Sequence, residues 1–153
     1  MSGCSTVSIS DYFGGDDAGR DAEAQVTEAG DVDAFELQVG DCLLSADLAE
    51  EFSEVPAVPC DQPHDTEVMR LFDVSEPTFD DVAIAEAADE QCASAIESYV
   101  GPNWVTILAE DLTYGYLAPT QESWSSGDRE IVCLAQTVSG ASSLTSTVKG
   151  TGQ

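Results

Sequence analysis

The chain has 153 residues and carries 30 Asp and Glu against 4 Lys and Arg, which gives a formal net charge of −26. Nucleic acids and anionic lipid surfaces would repel such a protein, so the sequence predicts no nucleic-acid partner. It contains no stretch of about 18 apolar residues that could span a bilayer. Hydrophobic residues make up 42% of the chain, which is enough for the core of one domain with a tail.

The acidic residues are densest near the N-terminus. Between Asp11 and Glu36 there are nine acidic residues and a single basic one, Arg20. Low hydrophobicity combined with charge of one sign is typical of a disordered linker. We therefore expect residues 1–33 to be a disordered acidic spacer and residues 34–150 to form the folded domain. Adaptation of the source to high salt is a second explanation of the acid excess.

The alternation of apolar and polar residues predicts several strands in the folded part. Two prolines, Pro56 and Pro59, indicate an extended loop into Cys60. A short helical turn is expected at 45–52 and a turn cluster at 123–128. The predicted strands cover 35–39, 67–74, 104–108, 112–119, 129–137 and 144–149.

The clearest predicted element is a helix over about 80–100. Its apolar residues recur at intervals of three and four, which places them on one face; they are Ala85, Ala88, Cys92, Ala95, Ile96 and Tyr99. Thr78 is the expected N-terminal cap, and Gly101-Pro102 ends the helix. The predicted fold class is therefore α+β, a small antiparallel sheet packed with one main helix.

The chain contains five cysteines, one near the N-terminus and four in the folded part, and their number helps to infer the cellular compartment of the protein. In an oxidising compartment the four would form two disulfides, with three possible connectivities. We favour Cys42–Cys60, which closes a short loop, and Cys92–Cys133, which joins the helix to a strand. By loop-closure entropy these would stabilise the domain by about 3 and about 4 kcal/mol. The alternative is four reduced, buried cysteines in a cytosolic protein.

The remaining cysteine, Cys4, follows Ser2-Gly3. This resembles the last positions of a bacterial lipobox, in which a cysteine after small residues receives lipid. The positive and apolar regions of a secretory signal do not precede it in this sequence. We expect Cys4 to be the lipidation site, and the alternative is a stray cysteine in the tail.

His64 is the sole histidine, so any histidine-dependent catalysis would require it. We expect a structural role, in which the imidazole donates to a carbonyl, accepts from a backbone amide and fixes the loop after Cys60. A zinc site formed by Cys42, Cys60 and His64 is a second interpretation, because thiolate and imidazole are zinc ligands. A disulfide would compete for the same sulfurs.

Arg129 and Trp124 are the other conspicuous side chains. In so acidic a chain we expect Arg129 to join a carboxylate network with Asp128 or Glu130; the alternative is an anion site. Trp124 is expected to cover the core beside Cys133, and the alternative is an exposed aromatic side chain for binding.

A further pattern is the order of short motifs along the chain. Besides the four cysteines, the residues of these motifs include Gly40, Asp41, Pro59, Pro63, His64, Pro119, Trp124, Gly127, Asp128 and Arg129. Their order resembles the septum formation family of secreted and membrane-anchored actinobacterial proteins. The resemblance covers about residues 35–150 and implies an extracytoplasmic domain with four cysteines and a link to cell division at the envelope. It supplies no catalytic residue and no ligand.

We therefore expect a non-enzymatic lipoprotein domain outside the cytoplasmic membrane, anchored only by lipid on Cys4 and needing no cofactor or metal. Its partner would be an envelope protein or a cell-wall component. The alternative is a metal-dependent or thiol-based enzyme that uses His64 with Cys60 or Cys42.

Overall fold

The computed structural model describes residues 18–44, 54–108, 111–138 and 144–153. This part contains eight strands, three α-helices and a 3-10 helix over Ala34–Glu36. The strands are β1 (Gly19–Arg20), β2 (Val26–Glu28), β3 (Gly30–Asp33), β4 (Cys42–Leu43), β5 (Glu54–Val58), β6 (Thr66–Asp73), β7 (Leu112–Leu117) and β8 (Glu130–Thr137). The helices are α1 (Asp81–Tyr99), α2 (Trp104–Leu108) and α3 (Gln121–Ser125).

Six of the strands form one antiparallel sheet in the order β3-β5-β4-β6-β8-β7, and β1 pairs with β2 in a small separate ribbon. Helix α1 contacts β6, β7 and β8 and covers one face of the sheet. The predicted α+β fold with one main helix is therefore confirmed. None of the described helices is long and apolar enough to cross a membrane.

A β-bulge in β6 changes which side chains face α1. The register with β8 shifts between Val68 and Arg70, which leaves Met69 without a direct partner. Met69 lies in the core beneath α1, and Arg70, the next residue, also reaches α1 by donating to the side-chain oxygen of Gln91 at 3.1 Å. The extra residue therefore reverses the alternation of β6, because each later side chain changes face.

Helix α1 has the predicted position and the predicted disulfide, but a different residue caps its N-terminus. Asp80, and not Thr78, is the N-cap, and its carboxylate accepts from the backbone N–H groups of Val82 and Ala83. A disulfide joins Cys92 of α1 to Cys133 of β8, with their Cα atoms 5.1 Å apart. The predicted bond between the helix and the sheet is confirmed.

The second predicted disulfide, Cys42–Cys60, is also confirmed, with a Cα–Cα distance of 5.3 Å. It joins β4 to the loop that follows β5. Since β4 lies between β5 and β6, this bond holds the loop against the middle of the sheet.

The expected boundary at residue 33 is wrong for residues 18–33, which form β1, β2 and β3 and pack on the domain. Strand β3 pairs with β5 along its length. Val26 and Val32 are buried in a second hydrophobic cluster with Leu43 and Val55. These buried apolar side chains order the segment, and most of its carboxylates remain exposed on the outside of the domain. Residues 1–17, which include Cys4, lie outside the described residues.

An ion pair fixes the same N-terminal segment to the start of β4. The guanidinium of Arg20 donates to both carboxylate oxygens of Asp41, at 2.6 and 2.8 Å. The side chain of Asp41 is only 2% exposed, and it also accepts from the backbone N–H of Gln38 at 2.9 Å. The lone basic residue of the acidic segment thus neutralises a buried carboxylate.

Two predicted strands are replaced by helical turns. At 35–39, Asp33 caps a 3-10 helix, Leu37 is buried, and Phe35 and Val39 are exposed. At 104–108 the chain forms α2. Gly101, just before it, has φ +136° and lies so close to the backbone of Gly152 that a side chain there would collide. Neither segment therefore forms the strand that its apolar residues had suggested.

Three other expectations are also corrected. Pro56 lies in β5 and not in a loop, and its carbonyl accepts from Leu44 N–H. The turn cluster at 123–128 begins within α3, which Thr120 caps. In the predicted strand at 144–149 only Leu144 forms a β-bridge, with His64. The helical turn expected at 45–52 falls outside the described residues.

We predict that Arg20→Met lowers the free energy of unfolding by about 2 kcal/mol, because it leaves the buried carboxylate of Asp41 without its charged partner. Urea denaturation would measure the loss. Arg70→Met is the matched control, because Arg70 bonds to Gln91 in an exposed position. Equal losses in the two variants would show that the Arg20–Asp41 pair does not stabilise the fold.

Candidate functional site

The loop between β5 and β6 holds the sole histidine of the chain. A turn closes it, with Gln62 N–H donating to the carbonyl of Pro59, and the backbone of His64 forms two hydrogen bonds with Leu144. His64 is only 1% exposed, whereas Pro63, the residue before it, is exposed. The loop therefore places the imidazole inside the domain.

Both ring nitrogens of His64 face acceptors. Nδ1 lies 2.8 Å from the carbonyl oxygen of Gln62, which fixes the loop as expected. Nε2 lies 3.2 Å from the Oε2 atom of Glu67, where the sequence had indicated a backbone amide. Burial lowers the pKa of His64, but the hydrogen bonds to Glu67 and Gln62 and the charges of Glu67 and Asp65 outweigh it and raise the pKa overall. The imidazolium form satisfies both contacts.

Glu67 is the centre of this site, and its side chain is fully buried. Besides the contact with His64, its Oε1 atom accepts from the hydroxyl of Tyr99 at 3.1 Å and from that of Thr147 at 2.8 Å. Its Oε2 atom accepts from the backbone N–H of Val148 at 2.8 Å. The carboxylate therefore joins the histidine loop, the end of α1 and the C-terminal segment; we call Glu67 and these four partners the Glu67 cluster.

Tyr99 supports the same arrangement. Burial, together with the negative charge of Glu67, raises the pKa of the Tyr99 hydroxyl. The hydroxyl therefore keeps its proton and donates to Glu67 at ordinary pH. Such a fully bonded buried carboxylate is a rigid structural element, because every change of position breaks charge-assisted hydrogen bonds.

Three residues of the kinds that bind zinc also lie close together in this site. The Sγ atom of Cys42, a ring nitrogen of His64 and a carboxylate oxygen of Glu67 lie within 4.8 Å of one another, and all three residues are buried. The sulfur is bonded to Cys60, however, and the carboxylate accepts from three donors besides the imidazole. The disulfide form therefore has no thiolate here for a metal ion or for nucleophilic attack.

Gly40 and Asp41 position the neighbouring strand. Gly40 has φ +97°, a conformation that strongly favours glycine. Its N–H donates to the carbonyl of Val68, and Val68 N–H donates back to the carbonyl of Asp41. The turn thereby aligns Cys42 with Glu67, its cross-strand neighbour in the register of β4 and β6.

The other motif residues form a separate cluster beneath α1. Trp124 is buried in the same core as Cys133, as expected. The guanidinium of Arg129 lies 3.6 Å from the centre of the Trp124 ring, and it donates to the carbonyls of Trp124 and Asp128. The expected carboxylate network is wrong, because the ion pairs among the described residues do not include Arg129. Stacking on the indole and bonding to two carbonyls satisfy the guanidinium instead.

Gly127 and Asp128 complete this turn. Gly127 has φ +103° and ends α3. Asp128 accepts from the backbone N–H of Glu130 at 3.1 Å and so begins β8. Burial, with the charges of Asp73 and Asp128, raises the pKa of Glu130. These contacts give the motif residues of this turn structural roles.

Sequence reasoning identified His64 but missed its partner Glu67 and the hydroxyls of Tyr99 and Thr147 that donate to Glu67. One signal was present, because Glu67 follows the sole histidine by three residues and is succeeded by Val68 and Met69 in a strand. A carboxylate this close in sequence to the sole histidine is a candidate hydrogen-bond partner for the imidazole.

We predict that Glu67→Gln lowers the free energy of unfolding by about 2–3 kcal/mol, because a neutral amide loses the charge-assisted bonds and places an N–H₂ group among donors. Chemical denaturation would measure it. Glu97→Gln, an exposed change on α1, is the control and should alter stability by less than about 0.5 kcal/mol. A Glu67→Gln protein as stable as this control would contradict the structural role of the cluster.

Stability should also depend on pH through His64. Its folded-state pKa lies above the unfolded value of about 6.5. Its stabilising contribution is therefore complete below that pH and is lost as the pH rises through the folded-state pKa. We predict that the stability difference between the wild type and His64→Gln shrinks as the pH rises above about 6.5, as measured by urea denaturation. A constant or growing difference would refute the prediction.

The chain was compared with curated proteins, solved structures and protein-family models. No curated protein and no solved structure matches the chain significantly. The model of the family described as Septum formation matches residues 39–153. This span includes both disulfides and the whole Glu67 cluster, whereas β1, β2 and β3 precede it. Since the match covers most of the sequence and all the motif residues named above, the chain belongs to the Septum formation family.

Proposed function

We propose that this protein is a non-enzymatic interaction module on the outer side of the cytoplasmic membrane, held there by lipid on Cys4. Membership of the Septum formation family suggests a role associated with the envelope and cell division. The observation that carries the proposal is the pair of disulfides in the domain core. Disulfides persist in oxidising compartments and are rare in the cytosol.

The interior of the domain supports a binding role more than a catalytic one. The histidine and the carboxylate that could exchange protons are 1% and 0% exposed, and each is held by several hydrogen bonds. The open groove on the surface of the domain is lined by residues of α1 and β7 and includes neither His64 nor Glu67. The partner, which we expect to be an envelope protein or a cell-wall component, would therefore meet the outer surface of the domain.

The proposed anchor sets the distance between the domain and the membrane. The described structure begins at residue 18, only 14 positions after Cys4. Even a fully extended chain of that length spans at most about 50 Å. Because a single acyl chain gives only marginal attachment, stable anchoring requires more than one chain on Cys4. The domain would then act close to the membrane surface, on partners within that reach.

Two measurements on protein purified from cell membranes test the proposal. Intact mass should show acyl chains on Cys4, and Cys4→Ser should release the protein from the membrane fraction. Thiol titration under denaturant should find four additional thiols only after reduction, because the two disulfides contain four of the five cysteines. An unmodified Cys4 refutes the anchor. Free thiols before reduction in the folded part refute the oxidising setting.

A second candidate function rests on the donor atoms of Cys42, His64 and Glu67, which lie within 4.8 Å of one another. With Cys42 and Cys60 reduced, this group would provide a zinc site for a metal-dependent or thiol-based enzyme. That function requires free thiols and bound zinc in the protein as purified. Metal analysis alongside the thiol titration therefore separates the two candidates.

A further inference from the structure

An open groove of about 630 Å³ lies between the first half of α1 and the edge strand β7. Its apolar residues include Val82 and Ala85 of α1 and Tyr116 of β7. Val82 is 64% exposed and Tyr116 is 38% exposed, and both are among the large hydrophobic side chains that the domain leaves open to solvent. The groove thus presents an accessible apolar floor outside the two buried cores.

The backbone beside this groove is also unpaired. Strand β7 is the last strand of the sheet and pairs only with β8. In the part of the chain that the structure describes, no backbone hydrogen bond joins residues 112–117 to any segment other than β8. An edge of this kind accepts an extended peptide as an additional strand, with main-chain hydrogen bonds for affinity and alternate side chains for specificity.

Carboxylates line the same groove. Asp81, Glu86 and Glu90 are exposed on α1 along it. Asp89, between them, accepts from the hydroxyl of Tyr114 at 2.9 Å. That bond holds the aromatic face of β7 against the helix, since Tyr114 and Tyr116 lie on the same side of the strand. A partner strand along β7 would therefore direct every second side chain toward a row of negative charges.

We propose that this groove, formed by the first half of α1 and the edge of β7, binds an extended protein segment in which basic residues alternate with small or apolar ones. The segment pairs with β7 as an additional strand. The charged groups of its lysine or arginine side chains pair with the carboxylates of α1, and the methylene groups of the same side chains pack on Tyr116 and Val82. This inference names the class of partner for the interaction module proposed above and rests on that proposal.

Charge and shape together select this occupant. A second copy of the chain also carries a net charge of −26, so two copies would repel each other at this surface. Anionic polymers are excluded for the same reason. A compact basic protein would meet the carboxylates but would not satisfy the free edge of β7, whereas an extended segment does both.

The test uses the full oxidised chain and a labelled peptide of alternating lysine and threonine, with binding measured by fluorescence anisotropy. One control peptide has the same composition with all lysines placed first, and another replaces lysine by glutamate. We expect the alternating peptide to bind most tightly and the glutamate peptide not to bind. Equal affinity of the two lysine peptides would show simple charge attraction and would overturn the proposal, as would the absence of binding.

Charge-matched variants locate the site. Glu86→Lys lies in the groove, and Glu97→Lys makes the same charge change at an exposed position farther along α1. We expect Glu86→Lys to weaken binding by about tenfold, because it removes one ion pair and adds a repulsion. Glu97→Lys should weaken binding by less than about twofold, and Tyr116→Thr should weaken it at unchanged charge. Equal effects of the two lysine variants would place the binding elsewhere.

Hydrogen exchange tests the strand addition itself. Amide N–H groups of β7 that point away from β8 should exchange rapidly in the free protein and slowly in the complex. Unchanged exchange throughout β7 would rule out strand pairing. These measurements are made on purified protein, so they can fail while lipid on Cys4 and both disulfides are demonstrated. In that case the proposal that the groove binds a peptide would be wrong, and the proposed location outside the cytoplasmic membrane would stand.

Discussion

The fold depends on one buried charge, the carboxylate of Glu67. Removing an ion from water costs several kcal/mol, and only well-placed partners offset this. Here the offset comes from the ring of His64, the hydroxyls of Tyr99 and Thr147 and the N–H of Val148. These partners span more than 80 positions of the chain, so the burial of one side chain requires the loop, the helix and the C-terminal segment to be in place together.

The two disulfides stabilise different parts of the domain, one beside Glu67 and the other at the middle of α1. Cys42 is the cross-strand neighbour of Glu67, so Cys42–Cys60 holds the histidine loop beside the carboxylate. Cys92–Cys133 instead fixes the middle of α1 to the sheet and leaves the groove along β7 open. The domain thus combines a bonded interior, in which ionisable groups have fixed partners, with an acidic exterior where a basic partner can pair with carboxylates.

The sequence predicted the elements in which the spacing of apolar residues within the element itself indicates the buried face. Helix α1 and strands β6, β7 and β8 have strong periodicity or several apolar residues, and the cysteine pairing followed from the placement of Cys92 on the helix. Residues 18–33 were misjudged because their order depends on pairing with β5 and on the Arg20–Asp41 bond, which local composition does not report. Glu67 was missed because it is one of 30 acidic residues and only the tertiary structure buries it.

Hydrogen exchange at the amide of Val148 tests the central role of Glu67 most directly. Amides outside helices and strands, as at Val148, usually open locally and exchange within a short time. Because this N–H donates to the buried carboxylate, it should exchange as slowly as the amides of β8 in the middle of the sheet and open only with the whole domain. Rapid exchange at Val148 while β8 stays protected would contradict the account, since the C-terminal segment would then not be held by Glu67.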